Sequence, residues 1–141
     1  MYDTYKIEEL IIMVKLHGVN GSNAISNEQG VQIKGNHDPG EAGGFSPREL
    51  VEAAVALCTS LTLEAVLKRD GVEVDFDAVS IEVVASKAEG VKNRFTDFAV
   101  DVTLPKTLDE KYVAKLLKVV ERGCTVSNTL MNGANVKLSV K

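Results

Sequence analysis

The residues with the most chemistry open to them are the two cysteines, Cys58 and Cys124, 66 positions apart in a chain of 141 residues. That spacing excludes a Cys-x-x-Cys redox motif and a clustered zinc site. The two histidines, His17 and His37, stand 20 apart, too far to share one helical face, so no metal centre is expected. In a reducing compartment such a pair is either two small buried hydrophobes or a transient catalytic or sensing couple. Their local contexts differ. Cys58 lies in a helix interior, in Leu57-Cys58-Thr59, four residues after Ala54 and eight after Leu50. There it points toward the apolar face and reads as a buried, inert thiol. Cys124 follows Gly123 and precedes Thr125-Val126-Ser127-Asn128, where a new helical turn can start. A thiolate at a helix start is favoured by free N–H groups and the dipole, so local physics makes Cys124 the more acidic of the two.

The elements that must position these residues follow from the hydrophobic periodicity. Tyr5 to Leu16 reads as a strand. After the turn cluster Asn20 to Asn23, Ala24 to Asn27 and Gly30 to Lys34 read as two short strands of a meander. Gly35 to Phe45 carries four glycines and a proline and is the longest loop; His37 and Asp38 lie in it and read as solvated side chains. Ser46-Pro47 opens a helix, with Glu49 completing a capping box, and Asp70-Gly71 ends it. Leu50, Ala53, Ala54, Leu57, Leu61, Ala65 and Leu67 supply its apolar stripe, whose small residues admit a second helix closely. Val72 to Ser86 and Arg94 to Leu104 read as an antiparallel hairpin. Thr107 to Arg122 reads as a helix capped by Thr107 with Glu110 as box partner and Gly123 as breaker. A short piece from Cys124 to Met131 leads to a last strand, Asn135 to Lys141. The order β-β-β-α-β-β-α-(α)-β is α+β, in a single domain spanning 1–141.

Composition narrows the function. Apolar residues make up 45% and charged residues 26%, an ordinary globular balance that excludes collagen-like and disordered chains. The net charge of −4 and the absence of a basic patch argue against nucleic acid as a partner. Near the start the longest apolar stretch, Leu10 to Val14, is far short of the ~18 to 20 residues of a spanning segment, so no membrane insertion is expected and the expected location is cytoplasmic.

The segment Gly43 to Leu63, GGFSPRELVEAAVALCTSLTL, together with Cys124 to Leu130, CTVSNTL, resembles the OsmC/Ohr family of organic hydroperoxide reductases. The likeness extends in element order over essentially the whole chain. It implies an intertwined homodimer with antiparallel sheets around two central helices and sites at the subunit interface. It further implies that Cys58 attacks an organic hydroperoxide to become a sulfenic acid, and that Cys124 condenses with it to a disulfide. A dithiol of the lipoyl type then reduces that bond, and no bound cofactor is required.

The chain departs from the family pattern at one group. Peroxidase members use an arginine from the N-terminal strand-turn region, held by a glutamate ten positions before the first cysteine. Here no arginine occurs from Met1 to Pro47, Arg48 stands at ten before Cys58, and Glu49 at nine. Lowering a thiol pKa from ~8.5 to ~5.5 raises the thiolate fraction at neutral pH roughly 30-fold. The accompanying loss of intrinsic nucleophilicity is roughly 20-fold, so the net gain is small. Such an arginine therefore contributes mainly by orienting peroxide and stabilising the departing alkoxide. Within its own helix Arg48 lies about 15 Å and about 80° away from Cys58, so it would serve only a site across a dimer interface. Lys15, Lys34 and the backbone of the glycine loop are weaker candidates. The plain reading of Arg48 and Glu49 is a solvated helix start. Three functions remain open: a peroxidase, a family member that binds small molecules or senses thiol redox state, and a structural dimer with inert cysteines.

Overall fold

A computed structural model of the chain describes residues 13–37 and 41–141. The chain divides into two compact units, Met1–Leu50 and Val51–Lys141. The first eight residues of the strand read from Tyr5, and Asp38 in the glycine-rich loop, lie outside the described residues.

In the first unit, β1 (Lys15–His17), β2 (Ala24–Ser26) and β3 (Gln32–Lys34) form an antiparallel meander, with Leu16 opposite Ile25 and Ile25 opposite Ile33. The turn before β2 needs positive φ at Gly18, Asn20 and Asn23, which glycine and asparagine tolerate best. Beyond β3 the backbone at Gly35 bridges to Phe45. A Cβ on Gly44 would collide with the Lys34 carbonyl, which accounts for glycine at that position.

The long helix α1 (Pro47–Arg69) starts as its sequence predicts. The Ser46 N–H donates to Glu49 Oε1 at 2.9 Å and the Glu49 N–H to Ser46 Oγ at 3.3 Å, a complete capping box. Its packing corrects the sequence reading. The side chains it buries are Val55, Thr59, Leu63, Val66 and Leu67, whereas Ala53, Ala54, Leu57, Leu61 and Ala65 of the expected stripe are exposed, Leu57 by 64% and Leu61 by 59%. The helix carries apolar residues on two faces, and among the described residues one of them is covered and the other exposed. By length and composition alone α1 is apolar enough to cross a membrane, a test that the core helix of a packed domain also meets.

The hairpin consists of β4 (Ser80–Ser86) and β5 (Asp97–Thr103), with Ile81 opposite Val102, Val83 opposite Val100 and Ala85 opposite Phe98. It begins eight residues later than expected, because Asp75 accepts from the Asp77 N–H and caps a tight 3-10 turn at Phe76–Ala78. Helix α2 (Glu110–Gly123) also starts late: a turn from Pro105 to Leu108 takes up Thr107, and Asp109 stands at the cap without a side-chain bond. Leu116 and Val120 of α2 pack on Leu63, Val66 and Leu67 of α1 to form the core of the second unit. The Tyr112 hydroxyl donates to Asp70 at 2.8 Å, tying the start of α2 to the end of α1.

Gly123 is not a breaker outside α2 but its last residue. A Cβ there would stand 2.9 Å from Thr62 Cγ2, so glycine lets the end of α2 approach α1 closely. Helix α3 (Thr125–Asn132) follows at once. The expected last strand does not form: Asn135 to Lys141 has no regular structure, and Val136, Leu138 and Val140 are 87%, 98% and 98% exposed. Its alternation suits a strand, but a strand requires a neighbour to take its backbone hydrogen bonds, and none within the described residues does so.

Candidate active site

One residue serves two helices at the centre of the site. Cys124 ends α2 and caps α3, with φ −78° and ψ 109°. Its sulfur takes the place that a serine or aspartate oxygen usually fills: Ser127 donates to Sγ from its backbone N–H at 3.5 Å and from its hydroxyl at 3.1 Å. The close approach at Gly123 sets this sulfur beside the fourth turn of α1, which carries Cys58 and Thr59. Both cysteines are free thiols; Cys124 is 2% exposed and Cys58 half-buried. Two thiols far apart in sequence are thus neighbours.

Burial pushes the Cys124 thiol up, but the hydroxyl and N–H of Ser127, with Cys58 and Thr59 beside them, outweigh it and hold the thiol below its ordinary value. The direction is the one its position at a helix start predicts. Thr59 contributes less than its nearness suggests. A hydroxyl has one proton, and that of Thr59 goes to the Val55 carbonyl at 2.7 Å, leaving Ser127 as the hydroxyl that donates to the sulfur.

Beside Cys124 opens a cavity of about 810 Å³, walled by Val55, Phe95, Phe98, Leu117, Val120, Leu130 and Met131, with Thr59, Thr96, Ser127, Arg94, Asp101 and Glu121 supplying polar and charged groups to its lining. Phe95 and Phe98 meet edge to face with centroids 6.2 Å apart. Thr59 and Ser127 stand one and three residues from the cysteines, so their proximity was visible in the sequence. Arg94 and the phenylalanines came from the far end of the hairpin, and no local motif marked them. Among the described residues no group of histidine, cysteine and carboxylate side chains is placed to hold a metal ion.

Arg48 and Glu49 are exposed in the first turn of α1, ten and nine residues before Cys58. The helix is unbroken between them, a rise of about 15 Å. Glu49 is engaged in the capping box, and the Ser46 N–H is the first cause of its pKa being lowered from the ordinary carboxylate value. A depressed carboxyl stabilises the fold above its unfolded value of 4.5 and loses that contribution as pH falls through the lower folded value. Thermal melts should therefore separate wild type from Glu49→Gln at neutral pH and converge on acidification below about pH 4. A separation unchanged by acid would mean that the charge of Glu49 plays no part.

Comparison with known proteins agrees with this architecture. The family model described as OsmC-like protein matches residues 39–139. Among solved structures, an OsmC-like protein from Mycoplasma pneumoniae superposes with a TM-score of 0.71 at 18% identity, covering 85% of each chain. The organic hydroperoxide resistance protein OhrB of Bacillus subtilis is 26% identical over 92% of this chain and 97% of its own, with a TM-score of 0.57. An organic hydroperoxide resistance protein OsmC from Legionella pneumophila, 19% identical, superposes at 0.62 over 84% of this chain and 88% of its own. No curated protein sequence matches significantly. A family match over most of the chain, together with the mixed α and β architecture and its antiparallel sheets, places this protein in the OsmC-like family.

Proposed function

We propose that the protein is a thiol-dependent peroxidase that reduces organic hydroperoxides through Cys58 and Cys124. The observation that carries this reading is the juxtaposition of a half-buried Cys58 with a Cys124 whose thiolate is favoured, beside a cavity that mixes apolar side chains with polar and charged ones. Family membership supports a redox role of the peroxidase type. The Cys58 thiolate attacks one peroxide oxygen, the O–O bond breaks, and the alkoxide leaves and takes a proton to become the alcohol. Cys58 is then a sulfenic acid. The Cys124 thiolate attacks its sulfur, hydroxide leaves and takes a proton to become water, and a disulfide forms. A dithiol of the lipoyl type returns both sulfurs to thiols.

Intact mass after one equivalent of cumene hydroperoxide tests the cycle. A loss of about 2 Da is the expected disulfide; a gain of about 16 Da would be an arrested sulfenic acid, and no change would refute the peroxidase reading. The absence of an arginine from Met1 to Pro47 favours a second reading, a family member that binds small molecules or senses thiol oxidation without efficient turnover.

The working form in this proposal is a homodimer in which Arg48 serves the partner's site. The exposed apolar face of α1 and the exposed alternation of Val136, Leu138 and Val140 are the surfaces that a second copy would cover. In that arrangement Arg48→Ala should lower kcat/KM for the peroxide by ~10² or more, the loss expected of a donor that stabilises a departing oxyanion. Thermal stability should hardly move. Unchanged peroxide kinetics would remove Arg48 from the mechanism.

A further inference from the structure

Resting on the two-cysteine reading above, we infer that the reduction of the disulfide is directional: the external thiol attacks Cys58, Cys124 leaves as the thiolate, and Ser127 is the positioning residue that receives the departing charge. Thiol–disulfide exchange needs three sulfurs, a nucleophile, an attacked centre and a leaving group, and it is fastest when the attacked sulfur is accessible and the leaving thiol is acidic. The two cysteines divide these qualities between them. Cys124 is 2% exposed although it borders the cavity, whereas Cys58 is half-buried, so a thiol arriving from solvent reaches Cys58 more readily.

The helix start is built for the opposite duty. The Ser127 hydroxyl lies 3.1 Å and its N–H 3.5 Å from Cys124 Sγ, and both are donors, the polarity that a leaving thiolate requires. Thr59 does not duplicate this role, since its proton is held by the Val55 carbonyl. Because Ser127 is the third residue of α3 and Cys124 its cap, the helix itself fixes both donors before the bond breaks.

The step balances as follows. A thiolate of the dithiol forms a bond to Cys58 Sγ, the Cys58–Cys124 bond breaks, and its electron pair stays on Cys124. The second thiol of the reductant, deprotonated, attacks the reductant's own sulfur in the mixed disulfide. Cys58 leaves as a thiolate and the reductant departs as a cyclic disulfide, two electrons poorer. The two protons released by the dithiol are available to the two protein thiols.

The test does not depend on peroxide chemistry. The disulfide is prepared in the wild-type protein with diamide, which joins thiols without a peroxide, so failure of the peroxidase reading leaves this experiment intact. Glutathione is then added as a monothiol probe, the reaction is stopped with acid, and peptide mass spectrometry locates the mixed disulfide. Glutathione on Cys58 is the expected result. Glutathione on Cys124, an even distribution, or no diamide-induced disulfide would overturn the proposal, and none of these measurements requires a variant to fold.

Ser127→Ala addresses the role of that residue. Reduction of its preformed disulfide by dithiothreitol should slow about tenfold, with recovery in Ser127→Thr, which retains the hydroxyl. In a Cys58→Ser background, the pH midpoint for alkylation of Cys124 by iodoacetamide should rise when Ser127 becomes alanine. A purely structural serine would leave that midpoint in place, and an unmoved midpoint with an unchanged reduction rate would eliminate Ser127 from the step.

Discussion

Cys58→Ser is expected to abolish turnover of an organic hydroperoxide with a dithiol reductant, while Cys124→Ser reacts once and stops at the sulfenic acid. The two variants separate because the proposed roles occur in sequence. Without the Cys58 thiolate no O–O bond is broken, since a serine hydroxyl is not ionised at neutral pH and is a poor nucleophile toward peroxide. Without Cys124 the first step survives, but the sulfenic acid has no internal thiol with which to condense. The structure makes this a demanding experiment, because the thiol it favours as thiolate is Cys124, which also lines the cavity. Single-turnover trapping of the sulfenate with a dimedone-type reagent, followed by peptide mapping, distinguishes the outcomes. A sulfenate on Cys124 would reverse the assigned roles.

A second large effect is expected at the outward face of α1. Wild type should sediment at low micromolar concentration as a species of about twice 15.2 kDa. The double variant Leu57→Glu, Leu61→Glu should sediment as the single chain. Both leucines are more than half exposed within the chain, so the substitutions cost the isolated fold little, and glutamate is as good a helix former as leucine. In a dimer, four leucine side chains return to water at ~1 to 2 kcal/mol each, on the order of 6 kcal/mol in all. That weakens association by about 10⁴ before charge repulsion is added. A monomeric wild type would remove the interfacial site and the service of Arg48 in trans. A double variant that remains dimeric would place the interface elsewhere.

What could be read from the sequence depended on how local the governing interaction is. The start of α1 was legible because Ser46, Pro47 and Glu49 form a capping box among themselves. The start of α2 was misread, since Thr107 and Glu110 have the same spacing, yet the turn at Pro105 to Leu108 takes up Thr107 first. The meander and the hairpin were legible as alternating runs between turns, but the 3-10 turn held by Asp75 displaced the start of β4. The buried face of α1 was not recoverable. Its residues are apolar around more than one side, and the choice between Val55-Leu63-Val66 and Leu57-Leu61 is made by α2, β5 and the segment Val72 to Val79 rather than by periodicity. At the site, the pairing of Cys58 with Cys124 came by resemblance. Arg94, Phe95 and Phe98 stayed hidden because only tertiary packing brings the end of the hairpin to Cys124.

The carboxylate of Glu52 accepts the backbone N–H of Ala85 at 2.7 Å. That donor belongs to the next-to-last residue of β4 and is spent on α1 rather than on a strand. A two-stranded ribbon normally offers both flanks to a further chain, and repeated addition at both flanks is how ribbons propagate into fibres. Here one flank is capped near its end by a charged side chain anchored in a long helix, so a further strand pairs along its full length only at the flank of β5. Growth of this sheet is thereby directional, and Glu52→Ala should leave a ribbon open on both sides, visible as concentration-dependent aggregation at temperatures where the wild type stays in solution.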